Sequence, residues 1–521
     1  MVARRRAGWR VREARHTLHD PQHLSERQSM ADATQLRETA ELEQAEARVE
    51  ERSQELKREL GLASLVLGQI LYIVGLTWVG VAGKIGSAHV VFWLLAITFF
   101  YIPSAIVVIH LNRRAPLEGG LYQWAKLGLG EFVGFMVAWN LWLYALVNTA
   151  ELGFIVGNFL RYALGDRAAW IGESKWATTI AEIAAVAALM LISIRGLKLG
   201  KWVHNAGAVI MLTMFAALLI LPVIHLANGT LPAFHPFATT LPVVSLFSLN
   251  VLGKMGFGAL GGFEYIAVLA GETKSPARAI GLSVVIAAPI VGLMFILGTS
   301  SLLAFVPPDK IDLIGPIPQV LALGFRGFGV VTYLASASIL LTLFVRLAQS
   351  SVIFTSVTRL PMVVGWDGLL PGWFSRLHHE YRTPVNSILV VGTLSIVLGG
   401  LSLHGVGQQE AFQLLFSSNG ILYALTYLVM FVIPIIGWRG AGTGPSIWVR
   451  IAAVSGFLMT LLFVVLSIFP IIDVQNRASF TAKVSAAVVI PNLIGAFLYI
   501  RGQARRVGRG IITSPRPAAR S

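Results

Sequence analysis

Between Gly256 and Glu264 the chain reads GFGALGGFE, which begins with the glycine spacing GxGxxG. Glycines so spaced can let a backbone approach a pyrophosphate, but only after a strand, before a helix, and with an acid about 20 residues further on. Here LPVVSLFSLNVLGKM precedes the glycines and YIAVLAGETKSP follows them, with no acid at that offset. The phosphate reading therefore fails. A second chemistry needs glycine and an acid together: a helix loosened enough to offer its backbone N–H and C=O groups to a small polar solute. Whether that applies depends on what surrounds the stretch.

The surroundings are apolar. Of 521 residues, 55% are hydrophobic and 13% charged, and mean hydropathy is +0.71. A soluble domain carries about 25% charged residues. Stretches of about 20 apolar residues cross a bilayer as helices, and about twelve are present. They run near 61–83, 89–111, 128–160, 176–194, 203–226, 243–271, 281–305, 328–350, 385–403, 411–437, 448–470 and 480–500. The pattern predicts an all-α, polytopic membrane protein. Residues 1–60 form a polar tail whose interleaved charges over 31–60 suggest a solvated helix, and 501–521 form a short basic tail. Leu42, Val49 and Leu56 repeat every seventh residue, too few for a coiled coil. The basic start, MVARRRAGWRVREAR, leads into no apolar run, so a cleaved leader is not expected.

The net charge of +15 would suggest nucleic acid in a soluble chain, but its placement suggests a membrane instead. Cytoplasmic loops collect Lys and Arg. With the N-terminus inside, the inner loops hold fourteen of these residues and the outer loops eight, Arg346 being counted at the inner end of the eighth span. Both termini are predicted to be cytoplasmic in a cell-membrane protein. The absence of cysteine removes disulfides, thiolate nucleophiles and Cys-bound zinc.

GFGALGGFE thus falls inside the sixth span. Each glycine weakens a helix by about 1 kcal/mol, and an isolated carboxylate in lipid costs several more. Both costs are relieved if the helix breaks between Gly258 and Gly262 and Glu264 opens a new half-helix, whose free N–H groups favour negative charge. The alternative is a glycine-packed crossing with Glu264 bonded to a neighbouring helix. Broken helices mark transporters built from inverted repeats, which predicts a partner break one repeat earlier. GQILYIVGLTWVGVAG in the first span offers it, with Gly75 as the break.

Three stretches carry a family resemblance. RRAPLEGGLYQWAKLGLGEFVGFMVAW (113–139) is similar to a Pro-x-x-Gly-Gly-x-Tyr segment leading into a third helix. GALGGFEYIAVLAGETKSPARAI (258–280) is similar to a Gly-Phe-Glu turn followed by Gly-Glu-x-x-x-Pro. RLPMVVGWDGLLPGWFSRLHHEYRTPV (359–385) is similar to a loop after an eighth helix. Together they resemble the amino-acid permeases of the amino acid–polyamine–organocation superfamily, from about Leu60 to Arg501. The resemblance implies a LeuT-like five-plus-five inverted repeat with two added helices and broken first and sixth helices. It implies secondary active transport of an amino acid or related amine by alternating access, as proton symport or exchange, with no cofactor or resident metal. The expected substrate-binding backbone is Tyr72, Ile73, Val74 and Gly75 with Gly258, Ala259, Leu260, Gly261 and Gly262. Glu264 matches a gating or coupling acid. The first span departs from the common Gly-x-Gly-Ile-Phe and reads LYIVGLTW. Partners are the small solute, membrane lipid and protons, with no nucleic acid.

Other intramembrane polar residues are open to two readings. Lys254 either faces a vestibule, with a gating or coupling role, or snorkels to the outer surface, the simpler choice. Asn140, Tyr144, Asn148 and Glu151 either line a cavity or bond between helices. Ser336 and Ser338 could offer hydroxyls to sodium, and Arg346 and Gln349 are expected to meet headgroups. Tyr423 and Tyr427 either contact the solute or, the simpler choice, pack between helices. Two other functions compete with transport: a transport-inactive sensor or scaffold, and an intramembrane enzyme. For the latter, HHEYR (378–382) lacks the second histidine of HExxH, and neither GxSxG nor GxxxxGK[ST] occurs.

Overall fold

The computed structural model describes residues 44, 47, 51, 56 and 58–508, except 232–239, 241–242, 326–331, 367, 403–407, 438–443 and 475. Most of the two tails lies outside the described residues. Leu56, one of the three heptad positions, is buried against the core, and the last helix continues past residue 500 to Gly508.

Helices account for nearly all of the described chain. The first span is two helices, α1 (Leu62–Ile73) and α2 (Leu76–Gly83), bent by 42° at Val74 and Gly75. There follow α3 (Gly86–Arg114), α4 (Leu121–Leu129), α5 (Glu131–Leu164), α6 (Lys175–Arg195) and α7 (Leu197–Ala227). The sixth span begins with α8 (Leu246–Gly253), widens to a π-turn over Lys254–Gly258 and ends as a 3₁₀ stretch, Phe263–Glu272. Then come α9 (Pro276–Phe305), α10 (Pro316–Gly324), α11 (Thr332–Val357), α12 (Leu360–Trp366), α13 (Val385–Ser402), α14 (Gln408–Ile436), α15 (Ile447–Ser467) and α16 (Arg477–Gly508). Among the described residues nine helices are long and apolar enough to cross a bilayer, ten with the bent first pair. The broken sixth span and the shorter α13 complete twelve crossings.

The first and sixth spans occupy equivalent places in two five-span repeats, the second inverted, and α15 and α16 are additional. α1 packs against α7, α9 and α11, and α5 packs against α14. The two breaks therefore meet in the middle, enclosed by α5, α11 and α14.

Both expected breaks exist, and the glycines divide their labour. A methyl on Gly256 would lie 2.8 Å from Met459, and one on Gly258 would lie 2.5 Å from the Trp78 ring, so these two permit close packing. The break itself is at Gly261 and Gly262. Gly262 has φ +141°, and a methyl there would lie 2.4 Å from the Tyr72 ring. Glycine alone meets both conditions.

The three motif stretches converge on the 3₁₀ half of the sixth span. Gly119 N–H donates to the Val268 carbonyl at 3.1 Å, and Glu118 Oε2 accepts from Gly271 N–H at 2.7 Å. Arg359 Nε donates to Glu272 Oε1 at 2.7 Å, both side chains being buried. Just before α1, the Glu59 and Leu60 amides donate to the Glu272 carbonyl at 3.0 and 3.1 Å, and Lys274 N–H returns a bond to Leu60 at 2.9 Å. The chain entering the first span is thus clamped to the chain leaving the sixth. Glu118, in the loop before α4, is held well above the usual carboxylate range, first by burial and then by the Glu272 carboxylate.

Two outcomes follow from this packing. Gly262→Ala should lower the thermal melting point of the purified protein by a loss of about 2 kcal/mol or more. Gly281→Ala should be near neutral, since its methyl would meet only Ile109 at 3.7 Å. An acid whose folded pKa is raised stabilises most below its unfolded pKa, about 4.3, and that contribution is lost as pH rises through the folded value. Glu118→Gln retains an acceptor for Gly271 but cannot ionise, so its melting point should fall less than wild type's between pH 5 and 8, roughly the window above that unfolded value.

Candidate functional site

The two breaks and their neighbours enclose a cavity of about 80 Å³. The first span contributes Tyr72, Ile73, Gly75, Leu76, Thr77 and Trp78, and the sixth contributes Phe257, Gly258 and Gly261. Polar side chains reach it from the unbroken helices: Tyr144 and Asn148 on α5, Arg346 and Gln349 on α11, Asn419 and Tyr423 on α14. Aromatic pairs flank it, with Trp78 against Phe416 at 4.5 Å and Tyr72 stacked on Tyr265 at 4.3 Å.

A broken helix in lipid leaves carbonyls and amides without partners. At the first break, Gln349 Nε2 donates to the Leu71 and Val74 carbonyls, each at 2.7 Å. At the sixth, Gly262 N–H donates to the Tyr427 hydroxyl at 2.6 Å, and Gly261 N–H to the Phe257 carbonyl at 2.9 Å. Side chains of α11 and α14 therefore hold each break open from the opposite wall.

Glu264 is fully buried in the first turn after the sixth break. The Tyr423 hydroxyl donates to one carboxylate oxygen and the Tyr427 hydroxyl to the other. Both alternatives read from sequence thus hold together: Glu264 opens a half-helix and is bonded to a neighbouring helix. Tyr423 also stacks on Tyr144, with ring centroids 4.5 Å apart, and stands between the cavity and the carboxylate.

Of the expected backbone positions, Tyr72, Ile73, Gly75, Gly258 and Gly261 border the cavity, whereas Val74, Ala259, Leu260 and Gly262 do not. Of the expected side chains, Tyr144 and Asn148 border it. Glu151 stands behind Arg346, with Oε2 at 3.8 Å from Nη2.

Several expectations are overturned. Lys254 neither snorkels nor borders the cavity: it is 2% exposed, and its Nζ donates to Ser467 on α15 at 3.1 Å above the Phe463 ring. Asn140 faces α16 and exchanges side-chain bonds with Asn492 at 2.7 and 3.1 Å. Ser336 donates to the Ala163 carbonyl, and Ser338 is buried; neither borders the cavity. Arg346 and Gln349 do not reach headgroups, because α11 runs on to Val357 and places both well inside the membrane. Counting apolar residues ended the span at 350, about two helical turns before the helix ends at Val357. Tyr423 and Tyr427 are hydrogen-bond donors to Glu264 rather than packing alone. Thr77, Trp78, Phe257, Phe416 and Asn419 went unrecognised, since nothing in their local sequence separates them from ordinary membrane-helix residues.

Gln349→Leu preserves volume and removes the donor shared by two buried carbonyls, each worth about 1–3 kcal/mol when orphaned. It should lower the melting point and cut uptake in proteoliposomes at least several-fold, whereas Gln413→Leu, at a buried position on α14 that does not border the cavity, should leave uptake near wild type.

Comparison with known proteins agrees with this architecture. The family model described as amino acid permease matches residues 59–493. An uncharacterized transporter of Legionella pneumophila is 25% identical over 377 residues, covering 72% of this chain and 80% of its own. A probable agmatine/putrescine antiporter of Lactococcus lactis is 22% identical, covering 72% and 78%. A low-affinity putrescine importer of Escherichia coli is 26% identical, covering 66% and 75%. Among solved structures, that of MhsT in complex with L-phenylalanine matches with TM-score 0.58 and 15% identity, over 79% of this chain and 98% of that one, which establishes a shared fold. The chain belongs to the amino acid permease family of the amino acid–polyamine–organocation superfamily, and is a multi-pass membrane transporter rather than an enzyme.

Proposed function

We propose that the chain carries an amino acid or related amine through the central cavity by alternating access, with protons coupled at Glu264. The observation that carries this reading is the buried carboxylate beside the sixth break, held by two tyrosine hydroxyls of α14, one of which borders the cavity. A protonatable group one side chain away from the solute can exchange its proton only when the cavity communicates with water. Occupancy of the cavity and the charge of Glu264 are then linked. The polyamine substrates named for two relatives support an amine-bearing solute.

The protein resides in the cell membrane with both termini in the cytoplasm. Removing Arg346, which lies inside the membrane, from the inner tally leaves thirteen Lys and Arg in the inner loops against eight in the outer ones. Under this orientation the clamp of Glu59 and Leu60 on Glu272 closes the cytoplasmic end. A recess of about 410 Å³ bordered by Glu59, Lys198 and Arg382 opens beside that clamp, and one of about 920 Å³ bordered by Lys84, Asp309 and Asp473 opens on the outer face.

Proteoliposomes should accumulate at least one radiolabelled amino acid or diamine under an inward proton gradient. Glu264→Gln should insert normally and lose the dependence of uptake on pH across roughly pH 5–8, because the amide oxygen can accept one tyrosine hydroxyl and its NH2 can donate to the other tyrosine oxygen, without titrating. A Glu264→Gln variant with a wild-type pH profile would remove the coupling role.

A further inference from the structure

We infer that the recess beside the clamp holds the head group of an anionic phospholipid: Arg195, Lys198 and Arg382 take its phosphate, and its acyl chains run along the outer faces of α6 and α7. The recess shares no bordering residue with the central cavity.

It measures about 410 Å³ and forms where the corner between α6 and α7 meets the loop before α13. Gly196 turns that corner with φ +78°, and the buried Thr383 donates its hydroxyl to the Ile194 carbonyl at 2.8 Å. The loop closes on itself: His378 N–H donates to the Thr383 carbonyl at 2.8 Å, and Arg382 N–H to the His378 carbonyl at 3.0 Å. Arg382 sits at φ +54°, a left-handed conformation that residues with a Cβ rarely adopt. Strain of that kind persists only where the surroundings enforce it, and it gathers at ligand sites.

The charges at the recess are unevenly matched. Its carboxylates are engaged: Glu59 by Lys201 at 3.2 Å and Glu272 by Arg359 at 2.7 Å, and Glu380 is not free. Among the described residues, the side chains of Arg195, Lys198 and Arg382 have neither an ion pair nor a hydrogen bond. All three are exposed. Three open cations around one hollow select an anion, and guanidinium forks match phosphate oxygens in pairs.

What adjoins the recess makes that anion a lipid. Leu199 and Trp202 border it and are 40% and 68% exposed. On α7 the exposed Trp202, Ala206, Val209, Ala216 and Ile220 share one face. On α6 the exposed Ile180, Ala184, Ala187 and Leu191 do the same, and Arg195 follows four residues later on that face. The two helices pack together, so two apolar tracks run from a single cationic hollow. Tryptophan at that level suits the zone where lipid head groups begin.

Thermal melting of the purified full-length protein in neutral detergent tests the site, with dioleoylphosphatidylglycerol, dioleoylphosphatidylcholine or inorganic phosphate added. Phosphatidylcholine carries the same phosphate beside a cation. Phosphatidylglycerol should therefore raise the melting point by at least about 2 °C more, as a ligand of the folded state does, and inorganic phosphate should not reproduce the rise. Arg195→Gln, Lys198→Gln and Arg382→Asn combined should abolish the difference; asparagine tolerates the left-handed backbone. Lys274→Gln, Arg278→Gln and Arg376→Gln combined remove as much charge from exposed positions outside the recess and should preserve it. Equal melting points with the two lipids in wild type overturn the inference. So does a folded recess variant that keeps the difference, or a control variant that loses it. An equal rise with phosphate alone assigns the recess to a soluble anion and overturns the lipid assignment. The wild-type comparison stands even where a variant fails to fold. Uptake in proteoliposomes is measured separately, so the transport reading stands or falls independently of these outcomes.

Discussion

A helix interrupted inside a membrane must find a partner for every N–H and C=O that the interruption frees, because lipid offers none. That constraint organises the centre of this protein. Two breaks face one another, and each is stabilised by a side chain from a helix that is not broken: Gln349 for the first and Tyr427 for the second. Tyr427 also donates to Glu264, so one hydroxyl joins the loosened backbone and the buried acid in a single hydrogen-bond chain. The glycines are necessary but passive; the polar residues of α11 and α14 convert a weak helix into a defined opening.

The same logic explains why the three family motifs lie far apart in sequence and close together in space. Glu118, Gly119 and Arg359 all grip the 3₁₀ half of the sixth span, Arg359 through Glu272 at its end. A buried pair such as Glu272 and Arg359 adds little net stability against an apolar substitute, but losing one partner strands the other charge. Its value here is positional: it fixes the segment that must move if the cavity is to open at that end.

Legibility in the sequence followed the range of the interactions. The spans were legible because membrane thickness imposes a length on each apolar run. The break at Gly261 and Gly262 and the placement of Glu264 beside it were legible because glycine and acid are neighbours in the chain, and both are costly in lipid unless compensated. The compensation was not legible. Tyr423 and Tyr427 lie 159 and 163 residues from Glu264, and nothing local marks their hydroxyls as its partners. Arg346 was assigned to the headgroups because a lone arginine near the end of an apolar run ordinarily snorkels. Here α11 continues past it, and Glu151 supplies a nearby countercharge. Lys254 failed in the opposite sense: the π-turn at Lys254–Gly258 sets its side chain against α15, where Ser467 receives it.

At the heart of the account is a polar void halfway through the lipid that communicates with each side in turn. Because the chain contains no cysteine, a single Thr77→Cys substitution at the cavity wall can be labelled without background. A membrane-impermeant maleimide should modify that thiol when applied from either side of the membrane in separate experiments, and a transported amino acid should protect it from both. A thiol reachable from one side only, or equally reactive with and without the solute, would contradict the account.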